Sequence, residues 1–242
     1  MAKILIALDD GHGMHTPGKR SPKLSDGTVM LENEFNRRVV ALLDKELKRC
    51  GFATLLVAPT DEDVPLEERV KRANKAKADF YLSVHGNAFN AVLDDKAGGI
   101  ETYAHFSYPE TVKKAKIIHK WAMKGSKMKD RKVKNGDWLY VCKYTEMEAA
   151  LIELGFMDNI EDLKKLMSES YRKECAVELA HSLCEIYNVK YVPEAKPTPA
   201  PTKKGTYYRV VTGSFTDRKN ADQRIAALKK AGFDSFVDIY EK

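Results

Sequence analysis

Short apolar runs alternate with helix-period segments along most of this chain, and that alternation constrains its fold more than any other feature. Residues 3–8 (KILIAL) form a continuous apolar run of strand length, ended by Asp9-Asp10-Gly11. Phe35, Val39, Leu42, Leu43 and Leu47 then recur at helical spacing until Gly51 stops the helix. Residues 52–58 read as the next strand, and Pro65 suits the first turn of a helix through residue 78. Further strands are expected at 80–84, 99–104, 138–142 and 149–154, with helices at 109–124, 160–167 and 171–187. The pattern predicts an α/β fold: a mostly parallel sheet covered by helices on both faces, its functional site at the carboxyl ends of the strands.

With 242 residues, 43% of them hydrophobic, the chain can bury a sizeable core. Composition shifts sharply in residues 192–205, where VPEAKPTPAPTKKG holds four of the nine prolines and almost no large apolar side chain, as a semi-rigid spacer does. The expected organisation is a catalytic domain over 1–190, a linker over 191–205 and a small module over 206–242. The module repeats the strand–helix–strand rhythm in miniature, with strands at 207–212 and 233–239 around a helix at 220–230. Alone it buries little core, so pairing with a second copy or with the body is expected.

Three predicted strands end in residues that can bind metal or move protons. His12 follows the first, within Asp9-Asp10-Gly11-His12-Gly13; His85 follows the third, within Ser83-Val84-His85-Gly86-Asn87; Glu153 belongs to the last. A hydrolytic zinc takes three protein ligands from His and carboxylate and keeps a position open for water. Two are these histidines, and spacing leaves the third open among Asp9, Asp10, Glu32, Glu34, Glu101 and Glu153. Glu153 sits in an otherwise apolar strand, where an unpaired carboxylate is costly unless it is functional. His15 reads as a solvent-facing loop residue, and His105, His119 and His181 as surface or helix residues. Arg69 and Glu101 fit structural ion pairs around the site.

These segments, in this order, resemble the zinc-dependent N-acetylmuramoyl-L-alanine amidases of the amidase-3 family. The resemblance runs through residues 8–13, Glu32 with Phe35, residues 66–69 with Ala73-Asn74, residues 78–90, residues 98–103 and residues 150–156 with Asn159. It implies that His12, Glu32 and His85 bind one Zn2+ per chain and that Glu153 is the catalytic glutamate. It also implies hydrolysis of the peptidoglycan bond between N-acetylmuramic acid and L-alanine, as in an endolysin or a sporulation autolysin. Departures are the longer segment between Gly13 and Glu32, Asp130-Arg131-Lys132 in place of Asp-Arg-Gly, and Glu148 in place of a proline. Residues 208–215, 220–221, 228 and 231–233 resemble half of a SPOR domain, a peptidoglycan-binding module whose missing half implies a homodimer.

Charge refines the partners. Residues 111–134 hold ten basic residues and one acid, and residues 191–242 ten against six, so within a chain of net charge +6 the remainder stands at −7. Two basic segments suit an anionic partner, and with the family resemblance that partner is peptidoglycan with its anionic wall polymers. A zinc peptidase of the stem peptide and a nucleic-acid-binding protein are the rival readings; the second leaves His12, Glu32, His85 and Glu153 without a role. The first residues carry no export signal, no membrane insertion is expected, and the expectation is cytoplasmic synthesis with release to the wall on lysis, a phage endolysin in the favoured form. Cys50, Cys142, Cys175 and Cys184 lie far apart and are expected as free, mostly buried thiols.

Overall fold

The computed structural model describes residues 3–195, 211–237 and 239. The chain divides into two compact units, residues 1–194 and 195–242. In the first, strands β1 (Leu5–Asp9), β2 (Ala53–Leu56), β3 (Phe80–Asn87), β4 (Ile100–Ala104), β5 (Asp130–Asn135) and β6 (Glu148–Phe156) form one sheet in the order β2-β1-β3-β6-β4-β5. β2, β1, β3 and β6 run parallel, β4 pairs antiparallel with β6, and β5 is parallel to β4. Helices α1 (Glu32–Arg49), α2 (Leu66–Lys75), α3 (Pro109–Ser126), α4 (Tyr140–Tyr144), α5 (Ile160–Leu166) and α6 (Glu169–Ile186) complete it.

Each strand divides its side chains by parity. Ile6 and Leu8, Phe80, Leu82 and Val84, Ile100 and Ala104, and Ala150, Ile152 and Leu154 enter the larger core. There they meet Phe35, Val39, Leu43 and Leu47 of α1, Ala115, Ile118 and Ala122 of α3, and Leu179 and Leu183 of α6. Those helical positions are spaced three or four residues apart, so each helix buries one stripe. The opposite parity, Ala7, Tyr81, Ala149 and Leu151, packs in a smaller core with Val70 and Ala73 of α2 and Val141 and Cys142 of α4. This second face is covered by shorter helices, and the strand-borne polar residues of the site, Asp9, Tyr81, Ser83, His85, Glu101 and Glu153, share its parity.

One expected strand is absent and another takes its place. Residues 138–142 are not a strand; Tyr140–Tyr144 forms a one-turn helix that buries Val141 and Cys142. The strand lies instead at Asp130–Asn135 (DRKVKN), on the sheet edge, alternating between exposed and half-buried positions. Charged side chains are common on edge strands, where they discourage pairing with other chains, and they hide the apolar alternation. The four cysteines are free and buried, as expected.

In the second unit, helix α7 (Arg218–Lys230) begins at Asp217, whose side chain accepts a hydrogen bond from the Lys219 N–H. The expected strand at 207–212 falls mostly outside the described residues. The one expected at 233–239 is not formed among its described residues. Helix α7 buries no side chain among the described residues.

Candidate active site

His12, Glu32 and His85 converge: one ligand atom from each lies within 4.8 Å of the other two. Three elements bring them together. His12 sits in the loop after β1 in left-handed backbone (φ 62), Glu32 opens α1, and His85 stands in β3. Glu32 Oε1 lies 3.4 Å from His12 Nε2 and 3.0 Å from His85 Nδ1, and the two imidazoles meet edge to face. Glycine is required at position 11, because a Cβ there would lie 2.2 Å from His85 Cε1. The loop is clamped from α1: Asn33 Nδ2 donates to the carbonyls of Asp10, Gly11 and His12, and Asn36 Nδ2 to that of Gly11. Glu34 faces solvent and pairs with Arg172, so geometry separates it from Glu32 where spacing did not.

Behind His85 runs a buried relay. His85 Nε2 is 3.1 Å from Ser83 Oγ, which donates to Asp9 Oδ2 at 2.8 Å; Tyr81 OH donates to the same oxygen at 2.9 Å. Arg69 Nη1 donates to Asp9 Oδ1, and Arg69 Nη2 to the His12 carbonyl. Burial alone would raise the Asp9 pKa, but Arg69, His85 and Ser83 outweigh it and hold the group ionised. Since Ser83 spends its proton on Asp9, it accepts one from Nε2, which fixes the His85 tautomer. Nδ1 faces a carboxylate oxygen at 3.0 Å and is a bare acceptor when the ring is neutral. Burial would lower the His85 pKa, but Glu32, Glu153 and Asp9 outweigh it and raise it, so a proton can also bridge the pair. Two acceptors sit that close only across a proton or a cation, so the donor set fits a metal ion. Burial pulls the His12 pKa down to about 4 against the opposing charge of Glu32, which leaves a neutral imidazole at ordinary pH.

Glu153 projects from β6 beside His85, its register partner on β3. Its Oε2 is buried and has no hydrogen-bond partner among the described residues. Burial, with Glu32 and Glu101 adding to it, pushes its pKa up to about 8, while His85 works the other way. An orphaned carboxylate oxygen next to a His-Glu-His cluster suits proton transfer better than structure. His85 stands within its strand, two residues before the end, rather than beyond it as expected, and Glu153 lies inside β6, three residues before its end.

The remaining histidines stay outside the site. His15 is exposed, His105 pairs with Asp137, and His181 stacks between Trp121 and Tyr191. His119 is a buried helix residue of α3, held by Thr102 and Asp130. Sequence reasoning missed Asn33, Asn36 and Ser83. The only available signal was a pair of amides three apart on the apolar side of α1, a placement that requires a hydrogen-bonding reason.

The fold and this site together define a hydrolase with a His-Glu-His cluster that could hold a metal ion. Residues 6–185 match the Amidase_3 family, N-acetylmuramoyl-L-alanine amidase, and residues 187–238 match the SPOR domain. The chain is 30% identical over 238 residues to the sporulation-specific N-acetylmuramoyl-L-alanine amidase of Bacillus subtilis (strain 168), covering 97% of this chain and 84% of that protein. It is also 30% identical over 244 residues to an endolysin of Bacillus phage SPP1, covering 98% and 80%. The catalytic domain of the amidase CwlV from Bacillus (Paenibacillus) polymyxa var. colistinus superposes with a TM-score of 0.70 at 25% identity, over 78% of this chain and all of that one. The chain belongs to the N-acetylmuramoyl-L-alanine amidase family and is a peptidoglycan hydrolase carrying a SPOR domain.

Proposed function

We propose that His12, Glu32 and His85 hold one Zn2+ and that Glu153 is the general base of the amide hydrolysis. The observation that carries this reading is the convergence of the three ligand atoms within 4.8 Å, with the unpartnered Oε2 of Glu153 on the neighbouring strand. A zinc ion in such a set supplies Lewis acidity, lowering the pKa of water and polarising a carbonyl. Glu153 takes the proton of the attacking water at its free oxygen and passes it to the departing L-alanine nitrogen. Ser83 and Asp9 keep the His85 proton on Nε2, so that Nδ1 remains a ligand. Asn33 holds the His12 backbone in its left-handed turn. Mass spectrometry of digested wall tests the bond: new free L-alanine amino termini on stems otherwise intact are expected, and cuts confined to the stem peptide would sink the assignment.

Two finer partner readings belong to the same proposal. Lys113, Lys116, Lys120 and Lys124 recur at helical spacing on the exposed side of α3, with exposed Lys127 at its C-cap, which supports contact with anionic wall polymers. Pelleting with walls is then expected to weaken as salt rises. The exposed Phe215, Phe233 and Phe236 of the second unit support its pairing with another copy. Sedimentation at rising concentration is expected to show a dimer.

A further inference from the structure

A row of functional side chains crosses the sheet beyond the residues assigned so far. Register sets His85 beside Glu153, and Glu153 opposite Glu101 of β4. The next strand, β5, carries Arg131 in the irregular stretch between the Ile100–Asp130 and Thr102–Val133 pairs. With neighbouring strands about 4.8 Å apart, the Arg131 backbone lies about 10 Å from that of Glu153. Helix α3 packs on the other face of β4, through Ala115, Ile118 and Ala122 against Ile100 and Ala104. The row reaches solvent at its β5 end, with Arg131 24% and Lys134 37% exposed.

The centre of this row is a buried carboxylate with more positive charge than it needs. Glu101, 3% exposed, accepts from Asn87 Nδ2 at 2.8 Å, Tyr103 OH at 2.7 Å, Arg131 Nε at 2.6 Å and Lys134 Nζ. One negative charge answers two cations, so the cluster is net positive. Arg131 engages Glu101 through Nε alone, and its Cζ lies 4.7 Å from the centre of the Phe156 ring, which steadies the guanidinium plane. Among the described residues neither Nη of Arg131 makes a hydrogen bond. A guanidinium held by its Nε and by a ring face presents its two terminal N–H groups as a fork, the geometry that matches a carboxylate.

We propose that Arg131, assisted by Lys134, is a subsite for a carboxylate carried by the stem peptide within two residues of the scissile amide. The proposal rests on the amide-hydrolysis reading above and adds a substrate feature to it. An extended peptide advances about 3.5 Å per residue, so a carboxylate two residues on lies about 7 Å from the reacting carbonyl. An arginine side chain directed back along the row covers the difference. Glu101 is the positioning residue: it occupies Nε and so leaves the fork free. A purely structural tie between β4 and β5 would need one cation, and would not leave the fork of the second open.

The test is steady-state kinetics of the full chain on two soluble muramyl peptides that differ only at the second stem residue, a free carboxylate in one and a carboxamide in the other. The wild type is expected to favour the acid about 10-fold or more in kcat/KM. In Arg131→Gln that ratio should fall towards one through a raised KM for the acid, with metal content and thermal melting as in the wild type. Arg131→Lys, with charge but no fork, should keep part of it. If Arg131→Gln melts early, Lys134→Met carries the same comparison with a loss of a few-fold. Equal kcat/KM for both peptides in the wild type, or a ratio that survives Arg131→Gln, overturns the subsite alone. Release of no peptide with a free L-alanine amino terminus from either substrate overturns the parent reading and the subsite with it.

Discussion

The two faces of the sheet are built from the same strands and do opposite jobs. In β3, Phe80, Leu82 and Val84 point into the larger core, while Tyr81, Ser83 and His85 between them form the relay and the ligand cluster. In β6, Ile152 and Leu154 are core and Glu153 between them is the orphaned acid. A backbone that must hold Leu82 and Leu154 in a close-packed core has no freedom to let His85 or Glu153 drift. The catalytic face inherits its rigidity from the apolar face, and the cost of burying polar groups is met by hydrogen bonds within one row.

This contrast can be broken at single positions. The largest effect is expected from Glu153→Gln: turnover should drop about 10²–10⁴-fold, with zinc per chain by atomic absorption and the melting temperature both retained. Loss of metal in that variant would mean that the base and a ligand had been confused. Neighbours of opposite parity come next. Leu82→Ala removes a fully buried side chain and should destabilise the chain by about 2–5 kcal/mol in denaturant unfolding, leaving activity per folded molecule intact. Ser83→Ala should do the reverse, weakening zinc binding about 10–100-fold in a chelator competition with a smaller change in stability.

Smaller effects follow from charge. Burial raises the Glu101 pKa, but Lys134, Arg131 and Tyr103 outweigh it and bring the group to about 2. Because the folded value lies below the ordinary carboxylate value, Glu101 stabilises the fold above about pH 4.5 and loses that contribution as pH falls towards 2. In Glu101→Gln, the pH dependence of unfolding between those limits should flatten relative to the wild type. On α6, burial and then Glu174 push Glu178 up to about 7, so its ionisation opposes folding as pH rises from about 4.5 to 7. Glu178→Gln should therefore melt higher than the wild type at pH 8, with the gain shrinking towards pH 4.

Much of the catalytic face was legible because its residues interrupt apolar runs. His85 and Glu153 are conspicuous in strands otherwise made of core residues, and His12 follows one directly. Glu32 was less so: helical spacing placed it and Glu34 on the same turn, the family resemblance chose between them through Phe35, and the loop folded over α1 gives the physical reason. Asp9 was visible as a possible ligand, but its task of orienting His85 through Ser83 depends on contacts across 74 residues of sequence. The edge strand β5 escaped because its charged side chains erase the period-two signal. With it went the reversal of β4 and β5, since direction is set by a crossover that no local pattern records. The second unit shows the opposite limit: its helix was readable from capping and period, whereas strand formation there depends on partners.

That reversal bears on how enzymes of this build can diverge. The His-Glu-His side of the site lies close to the loops that leave β1, β3 and β6, including the segment between Gly13 and Glu32, and loops accept insertions at little cost to the sheet. The Glu101–Arg131 side is made from the beginnings of two strands that run the other way, each contributing its second residue, where a further insertion would shift the register of the edge that follows. Descendants of this chain can thus acquire new architecture around the cluster by lengthening loops. Their taste for one stem peptide over another must instead be rewritten one side chain at a time.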